Sequence, residues 1–279
     1  MIYSNKKYDT NKKIKEDVDK NQKGQGSEGK EYSVSNVEEL LAVLEEVQDE
    51  DFVLLLKGEY DLPYNIVLPN CKVIGENKET TTVKSHGFTF QSTSNADIEI
   101  SNITFDGNGI DRGDSGFIHL GTEANIHIHD CTFTNMTGEW NCHGIRISKS
   151  SIDKTIEINN CSFTGPNSIR KYGHTNASIA CFHAGTYYNI DIHNNTFNHP
   201  NSGYEPLHDA KAISFFSNHG TSKIENCKAY CNEYLGEGDK NFGITESECS
   251  GAKGPKATST QIPMDHIETE TLEEEEGEW

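Results

Sequence analysis

Two groups of residues in this chain have the types and spacing to do chemistry. The first is His127, His129, Glu157, Asp191 and His193, which recur at matched places in short repeated phrases. Imidazoles and carboxylates at such intervals are the ligand set of zinc or a similar divalent ion. The second group lies in the segments between those phrases. There Arg112, Arg170, Lys171 and Lys211 supply positive charge, and Asp111, Asp114, Glu139, Glu205 and Asp209 supply carboxylates. His143, His174 and His208 can move protons, while Trp140, Tyr172 and Tyr204 offer flat rings to sugar faces. If the ligand is a uronate polymer, these groups together with Arg146 suit β-elimination. That reaction needs a cation on the substrate carboxylate, a base for the neighbouring proton and an acid for the leaving oxygen. Arg146, Arg170 and Lys171 are the neutralisers; His143, Tyr204, His208 and Lys211, with Asp209, are the proton movers. Glycoside hydrolysis would instead need two carboxylates, about 5.5 Å apart for retention, and Glu139, Glu205 and Asp209 are the available pairs.

What must position these residues is a phrase written five times. The copies are Ile98-Glu-Ile-Ser-Asn-Ile-Thr-Phe105, Ile126-His-Ile-His-Asp-Cys-Thr-Phe133, Ile156-Glu-Ile-Asn-Asn-Cys-Ser-Phe163, Ile190-Asp-Ile-His-Asn-Asn-Thr-Phe197 and the degenerate Lys223-Ile-Glu-Asn-Cys-Lys-Ala229. Their last residues (105, 133, 163, 197, 229) are separated by 28, 30, 34 and 32 positions. A repeat of that length marks a solenoid. Within each copy apolar residues alternate, as strands require, and an Asn or Asp stands at a bend. A second short apolar strand follows each loop, as in Gly144-Ile-Arg-Ile147, Ser178-Ile-Ala-Cys181 and Ala212-Ile-Ser-Phe215. Strand, bend, strand and loop at this period describe one coil of an all-β, right-handed parallel β-helix, and about six or seven coils are expected.

Stacking the copies predicts two outward columns: Glu99, His127, Glu157, Asp191 and Lys223, then Ser101, His129, Asn159, His193 and Glu225. Neighbours in a column stand about 4.8 Å apart. Coordination needs three or four ligands converging at about 2.1 Å, whereas a flat strand face makes side chains diverge. A solvated ladder of stacked charges therefore outweighs a metal site on this face. The long insertions, 106–114, 134–143, 164–176 and 198–211, all fall at the same point of the coil and pile into a wall, the place where a rigid scaffold usually carries function. Beside that wall, alternation turns Gly144, Ser178 and Ala212 outward in one column and Arg146, Ala180 and Ser214 in the next. Small side chains there leave room for an extended polymer, and Phe182 and Phe216 are expected to face out as a sugar platform or a covered strip.

The formal net charge of −20 argues against nucleic acid and anionic membranes as partners. An anionic polysaccharide would have to be held by local cations or by Ca²⁺ or another divalent ion. A hydrophobic content of 33% suits a thin solenoid core better than a globular one. No stretch approaches the roughly 20 apolar residues of a membrane span, and the first 30 residues lack a signal-peptide core. The expectation is a cytoplasmic or virion-associated protein unless the chain is processed.

Residues 1–31 read as a polar leader, 32–250 as the solenoid and 251–279 as an acidic tail. Ser35 with Glu38 forms a capping box for an amphipathic helix over 35–47, the lid that the open end of a solenoid requires. Cys131, Cys161 and Cys227 share one repeat place and are expected to stack as inward thiols, with Asn195 in the fourth copy. Asn102, Asn135, Asn160, Asn176 and Asn194 begin N-x-S/T triplets that read as repeat grammar, not as glycan sites.

The opening Lys57-Gly-Glu-Tyr60, the segment Asn65-Ile-Val-Leu-Pro-Asn-Cys-Lys-Val-Ile-Gly75 and the phrase Asn102-Ile-Thr-Phe-Asp-Gly-Asn-Gly109 resemble the pectate-lyase-like parallel β-helix superfamily. That resemblance implies the fold and carbohydrate chemistry. Tyr204-Glu-Pro-Leu-His-Asp209 loosely resembles the Tyr, acid, Pro and His cluster of alginate epimerases. The paired aspartates and Gly-His-Gly phrase of polygalacturonases are not reproduced. Two functions follow: binding with cleavage or epimerisation of an acidic polysaccharide, or a non-catalytic structural or receptor-binding module, often a homotrimer in such families.

Overall fold

The computed structural model describes residues 29–110, 116–138, 142–165, 167–168, 176–182, 186–198, 211–216, 223–235, 239–242 and 246–247. They wind through three parallel sheets. The first has nine strands: Glu31–Val34, Phe52–Leu55, Lys72–Gly75, Ile98–Ser101, Ile126–His129, Ile156–Asn159, Ile190–His193, Lys228–Tyr230 and Glu246–Ser247. The second has seven, among them Thr104–Asp106, Thr132–Thr134, Ser162–Thr164 and Thr196–Asn198. The third also has seven, among them Phe88–Phe90, Gly116–Leu120, His143–Ile147, Ala177–Phe182 and Lys211–Phe216. Like residues of successive copies pair directly, Ile126 with Ile156 and Phe133 with Phe163. The chain is a parallel β-helix, as the repeat predicts.

Each of the first four copies turns a corner of the coil, and the fifth coil turns the same corner at Cys231. In those four copies the first half lies in the first sheet and the last residues in the second. At the corner Asn102, Asp130, Asn160, Asn194 and Cys231 adopt φ of 53–57°. Short polar side chains visit this left-handed region most readily, so the Asn of the triplets at 102, 160 and 194 is a backbone requirement. Asn176 is fully buried, accepting from Cys142 N at 2.8 Å and donating to Gly138 O at 3.0 Å.

The core is built from two side-chain ladders. Phe105, Phe133, Phe163, Phe197 and Tyr234 stack with centroids 4.6–5.4 Å apart and planes 3–14° from parallel. Each fully buried ring contributes about 1.5–3 kcal/mol by its transfer from water. The second ladder runs Cys131, Cys161, Asn195 and Asn232. Cys131 and Cys161 are buried free thiols, as expected. Asn195 Oδ1 accepts from Cys161 N at 2.9 Å, and Asn232 Oδ1 accepts from Asn195 N at 3.0 Å.

Several sequence expectations shift. The fifth copy sits five residues later than assigned: Asp191 pairs with Lys228 and His193 with Tyr230. Residues 223–225 instead pair with Thr186–Tyr188 in a separate two-stranded sheet. Cys227 is thereby displaced from the thiol ladder, and Asn232 takes its place. The Ile-Glu-Asn-Cys lettering at 224–227 matches the repeated phrase in wording, yet its first residues belong to that separate sheet. The degenerate copy lacks the aromatic that fixes register; Tyr234 is the residue that stacks on Phe197.

Ahead of the helix, Glu31–Val34 pairs with Phe52–Leu55. The helix spans Val37–Val43 and is capped by Asn36, whose Oδ1 accepts from Glu39 N at 2.8 Å. Glu39 reaches back to Ser35 N at 2.8 Å, so the capping box lies one residue past the Ser35/Glu38 pairing. Leu40 is fully buried beneath this lid, and Val37, Leu41 and Leu44 pack on the core. At the other end Glu233–Leu235, Asp239–Phe242 and Glu246–Ser247 extend all three sheets beyond Cys231. Cys231 itself is disulfide-bonded. No helix among the described residues is long and apolar enough to cross a membrane.

Candidate functional site

The outer face of the first sheet carries the first candidate group. His127 pairs in register with Glu99 below and Glu157 above, and Glu157 pairs with Asp191. The side chains bind one another. His129 Nε2 lies 3.3 Å from Glu99 Oε1 and its Nδ1 2.8 Å from Asp130 Oδ2. Asn159 Nδ2 donates to Glu157 Oε1 at 2.8 Å and lies 3.0 Å from His127 Nε2. His193 Nε2 lies 3.0 Å from Glu157 Oε1, and its ring stacks on Tyr230 at 4.8 Å. Lys72 and Lys228 close the ladder on Glu99 and Asp191 at 3.7 and 3.6 Å. Among the described residues no group of three His, Cys, Asp or Glu side chains is gathered to hold a metal ion. The face is a ladder of mutually compensating charges.

Burial works against the charge on His129, but hydrogen bonds to Glu99 and Asp130 outweigh it and raise its pKa to about 9. His127 moves the other way: burial first, then the neighbouring His129 charge, lower it. Two imidazoles with ring centroids 4.1 Å apart thus hold opposite protonation states at neutral pH.

The second face is the outside of the third sheet. Ile145 and Ile147 are fully buried in the core, so Arg146 between them points away from it. Its in-register neighbours are His119 below and Ala180 above, followed by Ser214. His143 lies on the same side, in register with Gly116, Ala177 and Lys211. Ala177 and Ala180 form a small buried cluster apart from the main core.

The other small column turns inward instead. A Cβ on Gly144 would meet Ser178 O at 2.7 Å, the Phe163 ring at 3.2 Å and Met136 Sδ at 3.3 Å. Ala212 belongs to the core, and Ser178 is fully buried with its hydroxyl donating to Gly165 O at 2.6 Å. Gly144 and Ile145 are consecutive inward residues, which strict alternation does not anticipate. The missing Cβ is what lets Phe163 and Met136 come so close.

Two proposed site residues therefore come together, joined by one that sequence reasoning missed. Arg146 is 9% exposed and His143 is fully buried. Burial, and then the Arg146 charge, push the His143 pKa down to about 3, so its imidazole is neutral across the physiological range. His119 is only half-buried, and its Nε2 lies 2.8 Å from Ser148 Oγ. Its signal in the sequence was its place one rung below Arg146, hidden because Gly116–Leu120 carries no copy of the Gly-Ile-Arg-Ile wording. Lys211 shares the His143 column by its backbone, and Phe182 pairs with Phe216; the side chains of these three lie outside the described residues. Arg112, Trp140, Arg170, Lys171, Tyr172, Tyr204, His208 and Asp209 lie outside the described residues altogether.

No family model matches the chain, and no curated protein matches it. Among solved structures it is similar to a PL6 family alginate lyase, at 13% identity and a TM-score of 0.44 over 86% of this chain and 40% of that one. The chain thus spans about two fifths of that lyase's length. The likeness is one of fold, and the three sheets of strands stacked in register carry that conclusion by themselves: the chain is a parallel β-helix.

Proposed function

We propose that the chain binds an anionic polysaccharide along the outer face of the third sheet and cleaves or epimerises it at a uronate. The observation supporting this reading is the in-register pairing of His119 with Arg146 on that face. The Arg146 guanidinium is fixed in geometry and always charged, and suits two-point contact with a substrate carboxylate. Such contact stabilises the negative charge that develops when the neighbouring proton leaves. His119, held by Ser148, is the base. His143 sits beside Arg146 as a neutral ring, so a second positive charge does not compete for the carboxylate. Tyr204, His208, Asp209 and Lys211 remain the proposed sources of the acid that assists the leaving oxygen. Arg112, Trp140, Arg170, Lys171, Tyr172, Phe182 and Phe216 remain proposed sugar contacts.

The reading is tested by incubating the chain with alginates, pectins and glycosaminoglycans. Absorbance of the unsaturated product and proton exchange at the epimerised carbon are then followed. A product from one acidic polymer supports it. Absence of both product and binding across the panel overturns it in favour of a non-catalytic module. One observation favours that second reading: the full burial of His143 and near-full burial of Arg146 mean that a polymer must displace whatever covers them.

A further inference from the structure

The contact between His119 and Ser148 holds more chemistry than proton abstraction from a sugar uses. Ser148 follows the strand His143–Ile147, and its backbone N donates to Leu120 O at 2.8 Å, which pins it to the rung of His119. Its hydroxyl lies 2.8 Å from His119 Nε2. Both residues are half-buried, so a ligand reaches them more readily than it reaches His143. Arg146 stands two positions before Ser148 and directly opposite His119 in the ladder. A hydroxyl and an imidazole thus meet across neighbouring rungs, with Arg146 in register beside the imidazole. A nucleophile within hydrogen-bond reach of a base is the arrangement that activates serine, and a cationic donor nearby is what an oxyanion needs.

We propose that Ser148 and His119 form a nucleophile and base pair that removes acyl groups, such as acetyl, esterified to sugar hydroxyls. Ser148 Oγ attacks the ester carbonyl while its proton passes to His119 Nε2, and Arg146 faces the oxyanion. The carbon–oxygen bond to the sugar breaks, and His119 returns the proton to the departing alkoxide, leaving a free sugar hydroxyl and an acyl-serine. Water, deprotonated by His119, then hydrolyses that ester to release the carboxylic acid and restore Ser148. No oxidant or further reactant is required. The choice of sugar as the alcohol rests on the polysaccharide reading above; the acyl transfer itself does not.

The test uses the full chain and two probes that contain no uronate, a fluorophosphonate and p-nitrophenyl acetate, with peptide mass mapping of the adduct. The expected result is phosphonylation and transient acetylation at Ser148. His119→Gln keeps a hydrogen-bonding partner for Ser148 but takes no proton, and should slow labelling about 100-fold or more. Circular dichroism of the variant checks that it is folded. A serine that merely caps the imidazole does not react. No label, a label on another residue, or undiminished labelling in His119→Gln overturns the proposal. Because neither probe is a uronate, failure of the lyase panel and failure of this test are read separately.

Discussion

The side-chain amide of Asn195 donates to Asn232 Oδ1 at 3.1 Å, and the same oxygen accepts the Asn195 backbone N–H at 3.0 Å. Asn195 also donates to Ile158 O at 3.0 Å, and Asn232 donates to Ile192 O at 3.0 Å. The two amides tie successive rungs together through buried groups. Asn195→Ala leaves Cys161 N and Ile158 O buried without these partners. Each such loss costs about 1–3 kcal/mol, so a fall of about 2–6 kcal/mol is expected in urea denaturation. A change below about 0.5 kcal/mol, typical of a surface site, would show that the ladder is not a source of stability.

Phe163 lies between Phe133 and Phe197, with ring centroids 4.6 and 5.0 Å away. Phe163→Ala removes the middle ring, and a large-to-small change of this kind costs about 3–5 kcal/mol. Since each coil of a solenoid touches only its neighbours, damage in the middle should also weaken coupling between the two ends. The denaturation curve should broaden or split, not merely move. A single sharp transition at a lower midpoint would mean that the coils still unfold as one unit.

The architecture was legible because its signal is repeated. Ile, Asn and Phe recur at fixed places, and each has one physical reason: core, left-handed corner, stacked ring. Legibility failed where the repeat loses one of those anchors. The fifth copy carries Cys231 at the corner and Tyr234 in the ring column, so the Ile-Glu-Asn-Cys wording five residues earlier matched better as text than as structure. Alternation failed at Gly144, where absence of a side chain sets the facing. His119 was missed because a site residue need not resemble its neighbours in the column. The ion-pair ladder was visible as columns of His and carboxylate; which partner each ring would choose was not, since those choices turn on geometry of a few tenths of an ångström.

Protonation should shape stability on both sides of neutrality. The folded pKa of His129, about 9, exceeds its ordinary 6.5. Its contribution is therefore complete below pH 6.5 and is lost as pH rises through about 9, worth at most about 3 kcal/mol. His127 and His143 have lowered values, so what they contribute is present above pH 6.5 and lost on acidification. Urea midpoints taken across pH should form a dome. His129→Asn should flatten its alkaline side. An alkaline limb unchanged in His129→Asn would place its origin in another group.

Arg146 is the residue on which the two chemical readings converge, so its substitution needs a readout that separates function from folding. Removing one preorganised charge donor typically costs about 100–1000-fold in rate. Arg146→Ala should lose at least that much polysaccharide activity. Arg146→Lys keeps the charge but not the planar fork, so it should recover only part of the loss. His143 supplies the independent reporter. Burial is the larger cause of its low pKa and Arg146 the second. Taking away the guanidinium should therefore raise the His143 pKa while leaving it below the ordinary imidazole range, a shift that NMR titration of the ring can follow. If activity falls but His143 does not move, Arg146 does not sit beside that ring as the structure places it. If His143 moves and activity is kept, the guanidinium belongs to the scaffold, and the substrate carboxylate must be met by one of the loop cations.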